Sequence, residues 1–319
     1  MNGVILDTDS LGPDSLDLGP LYELPINWTL YPDSSDDQVA ERIIDADIVL
    51  TNKAMFSEAD MSAAPRLKFI GVMATGTNHI ALEAARQRGI VVSNAIGYCT
   101  GSVVQHVWSL ILALTTKLLS HHNAVLGGRW QQNQNFCAMD FPVRELSGKV
   151  MGVIGAGELG NGVAKIAEAF GMQVIYAALP GHSHGGSMDR TALDEFLSCA
   201  DVISIHCPLT AKTQNLIGHA QFALMKDSTL IINTARGGII NEPALKQALI
   251  MGQIAGAATD VLTVEPPVDG NVLLDQAIPN LIITPHSAWV ATEARQRLVI
   301  QLADNLRGFL DGKPRNQVV

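Results

Sequence analysis

Three short segments in the last third of the chain each carry one chemically versatile side chain just behind a predicted strand. Asn233-Thr234-Ala235-Arg236-Gly237-Gly238 follows an apolar run at 229–232. Asp260, and then Glu265-Pro266-Pro267, follow a run at 255–259, and Pro285-His286-Ser287-Ala288-Trp289 follows one at 281–283. Ligands of open α/β sheets bind outside the carboxyl ends of the strands, so the three segments are expected to face one crevice. A guanidinium there can hold a carboxylate in a two-pronged fork. An imidazole can exchange a proton with a hydroxyl or carbonyl near neutral pH. A carboxylate on the other ring nitrogen fixes the tautomer and favours the charged ring. Singly, a surface arginine, a solvated loop glutamate and a structural histidine are the ordinary readings. Their joint occurrence behind successive strands is what argues for a site.

A second constellation is Gly155-Ala156-Gly157-Glu158-Leu159-Gly160, set between a strand-like run at 149–154 and a helical run at 161–170 with Val163, Ile166, Ala167 and Phe170 at helical spacing. In a strand–turn–helix unit the first glycine makes the tight turn and the second lets backbone N–H groups approach a pyrophosphate. The third lets helix pack on strand, and the helix N-terminus adds partial positive charge. This is the arrangement that binds a dinucleotide.

The elements that must position these groups alternate regularly. Strands are predicted at 150–154, 173–177, 202–205, 229–232, 255–259 and 281–283, with helices at 158–170, 191–198, 219–224 and 242–251, a doubly wound α/β pattern. The first hundred residues show a smaller alternation of strands (Val4-Ile5-Leu6, Ile48-Val49-Leu50, Phe69-Ile70-Gly71-Val72) and helices at 38–45 and 81–88, which predicts a second parallel α/β unit. A helix over 102–126 ends at Gly127-Gly128, and a last amphipathic helix over 291–310 places Leu298, Leu302, Leu306 and Leu310 on one face.

With 319 residues, two domains are expected, and 47% apolar residues suffice for a sizeable core. The net charge of −10 and pI near 5.3 argue against a general affinity for nucleic acid or anionic membranes. The N-terminus has neither the basic start nor the apolar core of a secretory signal. Gln105, His106, Ser109 and Lys117 make helix 102–126 a buried or interface helix rather than a membrane span. Cys99, Cys137, Cys199 and Cys207 lack CxxC spacing, so they read as reduced thiols of a cytoplasmic protein without a metal or disulfide framework. Val103, Val104, Val107, Trp108, Leu110, Ile111, Leu112 and Leu114 cover more than one stripe of helix 102–126, which predicts a homodimer through this helix with Trp108 at or near the interface.

On these motifs the chain resembles the D-isomer-specific 2-hydroxyacid dehydrogenase family over nearly its whole length. His206-Cys207-Pro208-Leu209-Thr210-Ala211-Lys212-Thr213 is similar to the family's loop beside the cofactor, and the three segments above resemble its active-site signatures. The resemblance implies Arg236, Glu265 and His286 as catalytic residues. It implies cofactor contacts at Gly155, Gly157, Glu158, Leu159, Gly160, Cys207, Pro208, Thr213, Thr234, Ala235, Arg236, Asp260, His286 and Ala288, with Asp260 meeting the nicotinamide carboxamide. It further implies a discontinuous flavodoxin-like substrate domain (1–100 plus 288–319), a Rossmann NAD(P)-binding domain (101–287), and a substrate cleft between them. Ala74-Thr75-Gly76-Thr77-Asn78 is similar to the family's carboxylate-binding loop, which places Thr75 and Gly76 with Arg236 and His286 at the substrate. Lys53 stands where relatives aim a basic residue at substrate, with a solvated lysine as the competing reading. Relatives also dimerise along segment 102–126.

Within the family, Phe136 to Pro142 and Pro285 to Trp289 resemble the glycerate dehydrogenase (hydroxypyruvate reductase) branch, which makes hydroxypyruvate or glyoxylate the first choice of substrate. Glu265 argues against a formate dehydrogenase, which has an amide there, and the end at Val319 leaves no room for the regulatory domain of long phosphoglycerate dehydrogenases. A NAD-specific domain ends its second strand with an acid, but alignment puts Ala178 there. The residues that follow, Leu179 to His184, offer phosphate donors but no arginine, so NAD and NADP both stay open. The reading from another class is a nucleotide-sensing regulatory module like the C-terminal-binding corepressors, which share this fold.

Overall fold

A computed structural model describes residues 1–179 and 190–319 of the chain. Two compact units emerge, Met1–Cys99 with Val290–Val319, and Thr100–Trp289.

The first unit is a parallel sheet of β1 (Asn2–Ile5), β2 (Asn27–Leu30), β3 (Ile48–Thr51), β4 (Phe69–Val72) and β5 (Val91–Ser93), in the order β2-β1-β3-β4-β5. This is the flavodoxin-like order, with its switch point between β1 and β3. Strands β3 and β4 are buried at every position, which is why they read as unbroken apolar runs. Strand β2 left no such trace: Asn27-Trp28-Thr29-Leu30 is a mostly exposed edge strand, and β5 has only three residues. Helices α1 (Gly19–Tyr22), α2 (Val39–Ile43), α3 (Glu58–Ala63) and α4 (Leu82–Gln87) are short. The C-terminal helix, Thr292–Leu310, buries Leu298, Leu302 and Leu306 in this unit, whereas Leu310 stays partly exposed.

The second unit is a six-stranded parallel sheet of β6 (Val150–Ile154), β7 (Gln173–Tyr176), β8 (Val202–Ile205), β9 (Leu230–Asn233), β10 (Gly256–Thr259) and β11 (Leu281–Ile283), ordered β7-β6-β8-β9-β10-β11. Its helices are α5 (Thr100–Thr115), α6 (Leu118–Leu126), α7 (Glu158–Ala169), α8 (Leu193–Cys199), α9 (His219–Phe222) and α10 (Glu242–Ile250). The doubly wound pattern read from the sequence is the observed one, and the order reverses between β6 and β8.

The segment expected as one helix over 102–126 is two, bent by 60° at Lys117, which sits at φ +53°. The apolar girth of α5 is covered inside its own unit. Val103, Val104, Val107, Trp108, Leu110, Ile111 and Leu114 are all buried, the Trp108 ring stacks on Phe170 at 4.8 Å, and its Nε1 donates to Val163 O at 3.3 Å. The premise that α5 needs a second subunit to cover it is therefore corrected. Helix α5 packs against α7 and the sheet, so its broad apolar face is spent internally. The large exposed apolar side chains lie further on: Leu118, Leu119, Val125 and Leu126 of α6, then Trp130, Phe136, Met139 and Val143. Among the described residues no single helix is long and apolar enough to cross a membrane.

Candidate active site

The glycine turn lies at the switch point of the second sheet, where β6 and β8 diverge. Gly155 has φ +105°, and a β-carbon there would fall 2.6 Å from the carbonyl carbon of His206 and 2.8 Å from Cys207 N, so this turn and the loop after β8 abut. A β-carbon on Gly160 would sit 2.0 Å from Gly155 O, which is the close helix-to-strand approach that only glycine permits. Gly157, the N-cap of α7, faces open space instead. Asn161 Nδ2 donates to Ala156 O at 3.2 Å while its Oδ1 accepts from Tyr176 Oη at 3.1 Å, holding the turn from behind. The Glu158 carboxylate accepts from Thr100 Oγ1 at 2.6 Å, and Leu159 is half-buried.

Neighbouring strands β9, β10 and β11 deliver the other three segments to the same edge. Asn233 Nδ2 donates to Arg236 O at 2.9 Å, and Ala235 N donates to Asn233 Oδ1 at 3.0 Å, which curls the Arg236 turn back on its strand. A β-carbon on Gly237 would be 1.9 Å from Leu262 O, so the Arg236 turn and the loop that leads to Glu265 are in direct contact. Leu262 N donates to Glu265 Oε1 at 2.7 Å, while Glu265 Oε2 meets His286 Nδ1 at 2.5 Å. The imidazole and the carboxylate are each about 30% exposed, so the pair is accessible to a ligand. Arg236 is partly buried, with NH1 donating to Ala235 O at 2.6 Å. His286 itself takes the left-handed φ of +52°, a costly choice for a residue with a β-carbon. It is held there by N–H bonds to Asp260 O and Thr284 O.

Asp260, only 1% exposed, organises this loop: its oxygens accept from Ser287 N and Ala288 N, each at 2.9 Å, and from Thr284 Oγ1 at 2.5 Å. In the loop after β8, Thr213 gives its hydroxyl to Pro208 O at 2.7 Å and accepts from Thr210 N, closing that loop. Burial pushes the Cys207 thiol up to about 11, so it is a protonated side chain and no nucleophile.

In the first unit, the loops after β1 and β3 meet at the switch point. Buried Asp7 accepts from Asn52 N, Lys53 N at 2.7 Å and Ala54 N, which fixes the backbone that carries exposed Lys53. Burial raises the Asp7 carboxyl above its ordinary range, against the pull of these N–H groups. The loop after β4 presents Thr75 and Gly76, and Thr75 O accepts from Asn94 Nδ2 at 2.8 Å. Beside them His79 is held down to about 4 by burial and then by the charge of Lys53, and its Nε2 is buried without a partner.

Residues 108–288 match the family described as D-isomer specific 2-hydroxyacid dehydrogenase, NAD binding domain. The chain is 40% identical over 316 residues to a glycerate dehydrogenase of Methylorubrum extorquens, covering 99% of this chain and 98% of the relative. It is 39% identical to a hydroxypyruvate reductase of Blautia hydrogenotrophica over 323 residues, covering 100% and 99%. Among solved structures, an acyclic imino acid reductase in complex with NADPH and D-Arg superposes with a TM-score of 0.87 at 27% identity, with all of both chains covered. The chain belongs to the D-isomer-specific 2-hydroxyacid dehydrogenase family. It is an enzyme that moves hydride between a nicotinamide cofactor and a 2-hydroxy or 2-oxo acid, and the regulatory-module alternative finds no support among these relatives.

The residues of the dehydrogenase fit its cofactor. Open space in front of the α7 N-terminus suits a pyrophosphate. Two buried polar atoms on the same edge lack protein partners, His206 Nδ1 behind β8 and Thr234 Oγ1 behind β9, and buried polar atoms normally have one. Burial holds His206 down to about 4, so its orphaned nitrogen belongs to a neutral ring whose Nε2 bonds Ser204 Oγ at 2.8 Å. A cavity of about 640 Å³ lies at the opposite, N-terminal edge of the sheet, lined by Lys117, Arg144, Lys149, Asp201 and Asp227 among others, and holds none of the candidate residues. The strand-end rule and the paired imidazole and carboxylate favour the other edge.

Sequence reading passed over Asp7, His79, His106 and Thr284. Thr284, immediately ahead of the Pro285-His286 segment, and His79, immediately after Ala74 to Asn78, stood next to motifs. Ala178 N donates to Thr191 O at 2.8 Å, which returns the chain, with exposed Arg190, to the strand end where the acid is missing. Of the expected donor stretch, Pro180 to His184 lies outside the described residues.

Proposed function

We propose that this dehydrogenase reduces hydroxypyruvate, and glyoxylate as a shorter alternative, to the corresponding 2-hydroxy acid, D-glycerate in the first case. The observation that carries the reading is the 2.5 Å pairing of His286 Nδ1 with Glu265 Oε2, behind a strand adjacent to the one that leads to the Arg236 turn. With Nδ1 committed to the carboxylate, Nε2 of His286 is the atom that gives a proton to the substrate carbonyl oxygen. Glu265 keeps the ring in that tautomer and balances its charge. Arg236 holds the substrate carboxylate in a bidentate fork and polarises the carbonyl. A reduced nicotinamide, when bound, would supply the hydride for the carbonyl carbon. With that hydride and the proton from His286, hydroxypyruvate would become a secondary alcohol and glyoxylate a primary one, and His286 would regain its proton from solvent.

The main-chain N–H groups of Thr75 and Gly76 and the ammonium of Lys53 are assigned to the substrate's anionic end. Gly155, Gly157, Glu158, Leu159 and Gly160 are assigned to the cofactor pyrophosphate, and Cys207, Pro208, Thr213, Thr234, Ala235, Asp260 and Ala288 to its ribose and nicotinamide. Both NADH and NADPH are accepted on this reading: Ala178 offers no carboxylate to repel a 2′-phosphate, and Arg190 adds a cation nearby. The enzyme acts as a cytoplasmic homodimer. The support for a dimer is the exposed apolar surface of α6 and of Trp130, Phe136 (89% exposed), Met139 and Val143, an extent that favours a closed two-fold contact. A panel of 2-oxo acids assayed with each cofactor tests the proposal. Hydroxypyruvate and glyoxylate are expected to give the highest kcat/KM, and a clear preference for a branched or aromatic 2-oxo acid would refute the substrate assignment.

A further inference from the structure

The loop that carries His286 is anchored from a helix far away in sequence. Ser102 and His106 stand one turn apart on α5 and therefore share a face. Ser102 Oγ donates to Ala288 O at 2.6 Å, and His106 Nε2 lies 3.0 Å from Thr284 Oγ1 and 3.5 Å from Asp260 Oδ1. The direction of the middle bond follows from proton counting. A hydroxyl has one hydrogen, and that of Thr284 goes to the Asp260 carboxylate at 2.5 Å. Thr284 Oγ1 can therefore only accept from the imidazole, so His106 Nε2 carries a proton. The chain of donors runs from His106 to Thr284 to Asp260. The same carboxylate takes the N–H groups of Ser287 and Ala288, and Asp260 O takes that of His286.

We propose that His106 is a positioning residue for catalysis. Its Nε2–H orients the Thr284 hydroxyl and, through it, the Asp260 carboxylate, which clamps residues 286–288 and keeps His286 in its left-handed conformation with the ring on Glu265. This rests on His286 being the proton donor, as argued above. A side chain that is only 19% exposed and touches none of the proposed reacting groups thereby sets the aim of the acid. Bonds of this kind matter because small misplacements of a catalytic group are costly even when the altered residue is remote.

The test compares His106→Ala, His106→Gln and His106→Asn in the full-length enzyme, with hydroxypyruvate as substrate and His286→Ala run in parallel. Removing the donor in His106→Ala is expected to lower kcat by about 10²-fold while cofactor affinity, read by fluorescence titration, stays within about threefold. Glutamine places its amide nitrogen where Nε2 stood and should recover kcat to within about fivefold of the parent. Asparagine reaches only as far as Nδ1 and should stay near the alanine level. A kcat for His106→Ala within about threefold of the parent, or equal rates for the glutamine and asparagine variants, would overturn the positioning role. An inactive His286→Ala beside an unaffected His106 series would sink only this inference, whereas an active His286→Ala would sink the catalytic reading beneath it.

Discussion

Both sheets reverse their strand order at the same place, between their first and third strands, yet the two switch points are furnished differently. In the first unit a buried carboxylate, Asp7, ties down the main chain after β3, and what faces outward is one ammonium, Lys53, and a small-residue loop at Thr75 and Gly76. In the second unit the turn at the switch point packs at Gly155 against the loop after β8 and leaves open space at Gly157, and buried atoms of His206 and Thr234 are left without protein partners. The neighbouring strand ends of that unit carry the imidazole, carboxylate and guanidinium. On the assignment proposed above, one topology serves two purposes, holding an anion and conducting proton and hydride chemistry. What separates them is the side chains at the strand ends and not the fold.

That contrast can be pressed by substitution. Arg236→Lys should lower kcat/KM by about 10²–10³-fold, because an ammonium reproduces neither the planar fork nor its two parallel bonds. Steady-state kinetics that matched the parent would make Arg236 a structural residue and narrow the difference between the units. Glu265→Gln should cost about 10–100-fold in kcat, since an amide can present its nitrogen to the ring and no longer fixes the tautomer of His286. A kcat within about threefold of the parent would leave Glu265 without a role in proton transfer. The smallest effect is expected in the first unit: Lys53→Ala should raise KM for the 2-oxo acid about tenfold and change kcat little, as loss of one charge-assisted bond does. A collapse of kcat in that variant would show that chemistry is not confined to the second unit.

Much of this was legible in the residues themselves. Strands buried on both faces, such as β3, β4, β8 and β9, announce themselves as apolar runs, and the glycine spacing fixes the position of the turn behind β6. The edge strand β2 does not, because exposed positions are free to be polar. Helix α5 misled for the opposite reason: an apolar girth can be covered by two faces of the same unit, as Trp108 on Phe170 illustrates, and sequence alone does not say which body does the covering. Within the site, Arg236, Glu265 and His286 could be found because each follows a predicted strand. His106 could not, since it sits 180 residues before His286 and reaches the loop only through the packing of α5 on the sheet. Asp260 was legible as a residue of interest, but its grip on the 286–288 backbone needed coordinates.

The central claim is that His286 supplies the proton, and the most direct measurement is reduction of hydroxypyruvate by His286→Ala with cofactor affinity determined on the same preparation. The account predicts an unaltered cofactor dissociation constant, within about threefold, and a kcat lower by about 10²–10⁴-fold. Turnover near the parent rate, with cofactor bound equally well, would contradict it.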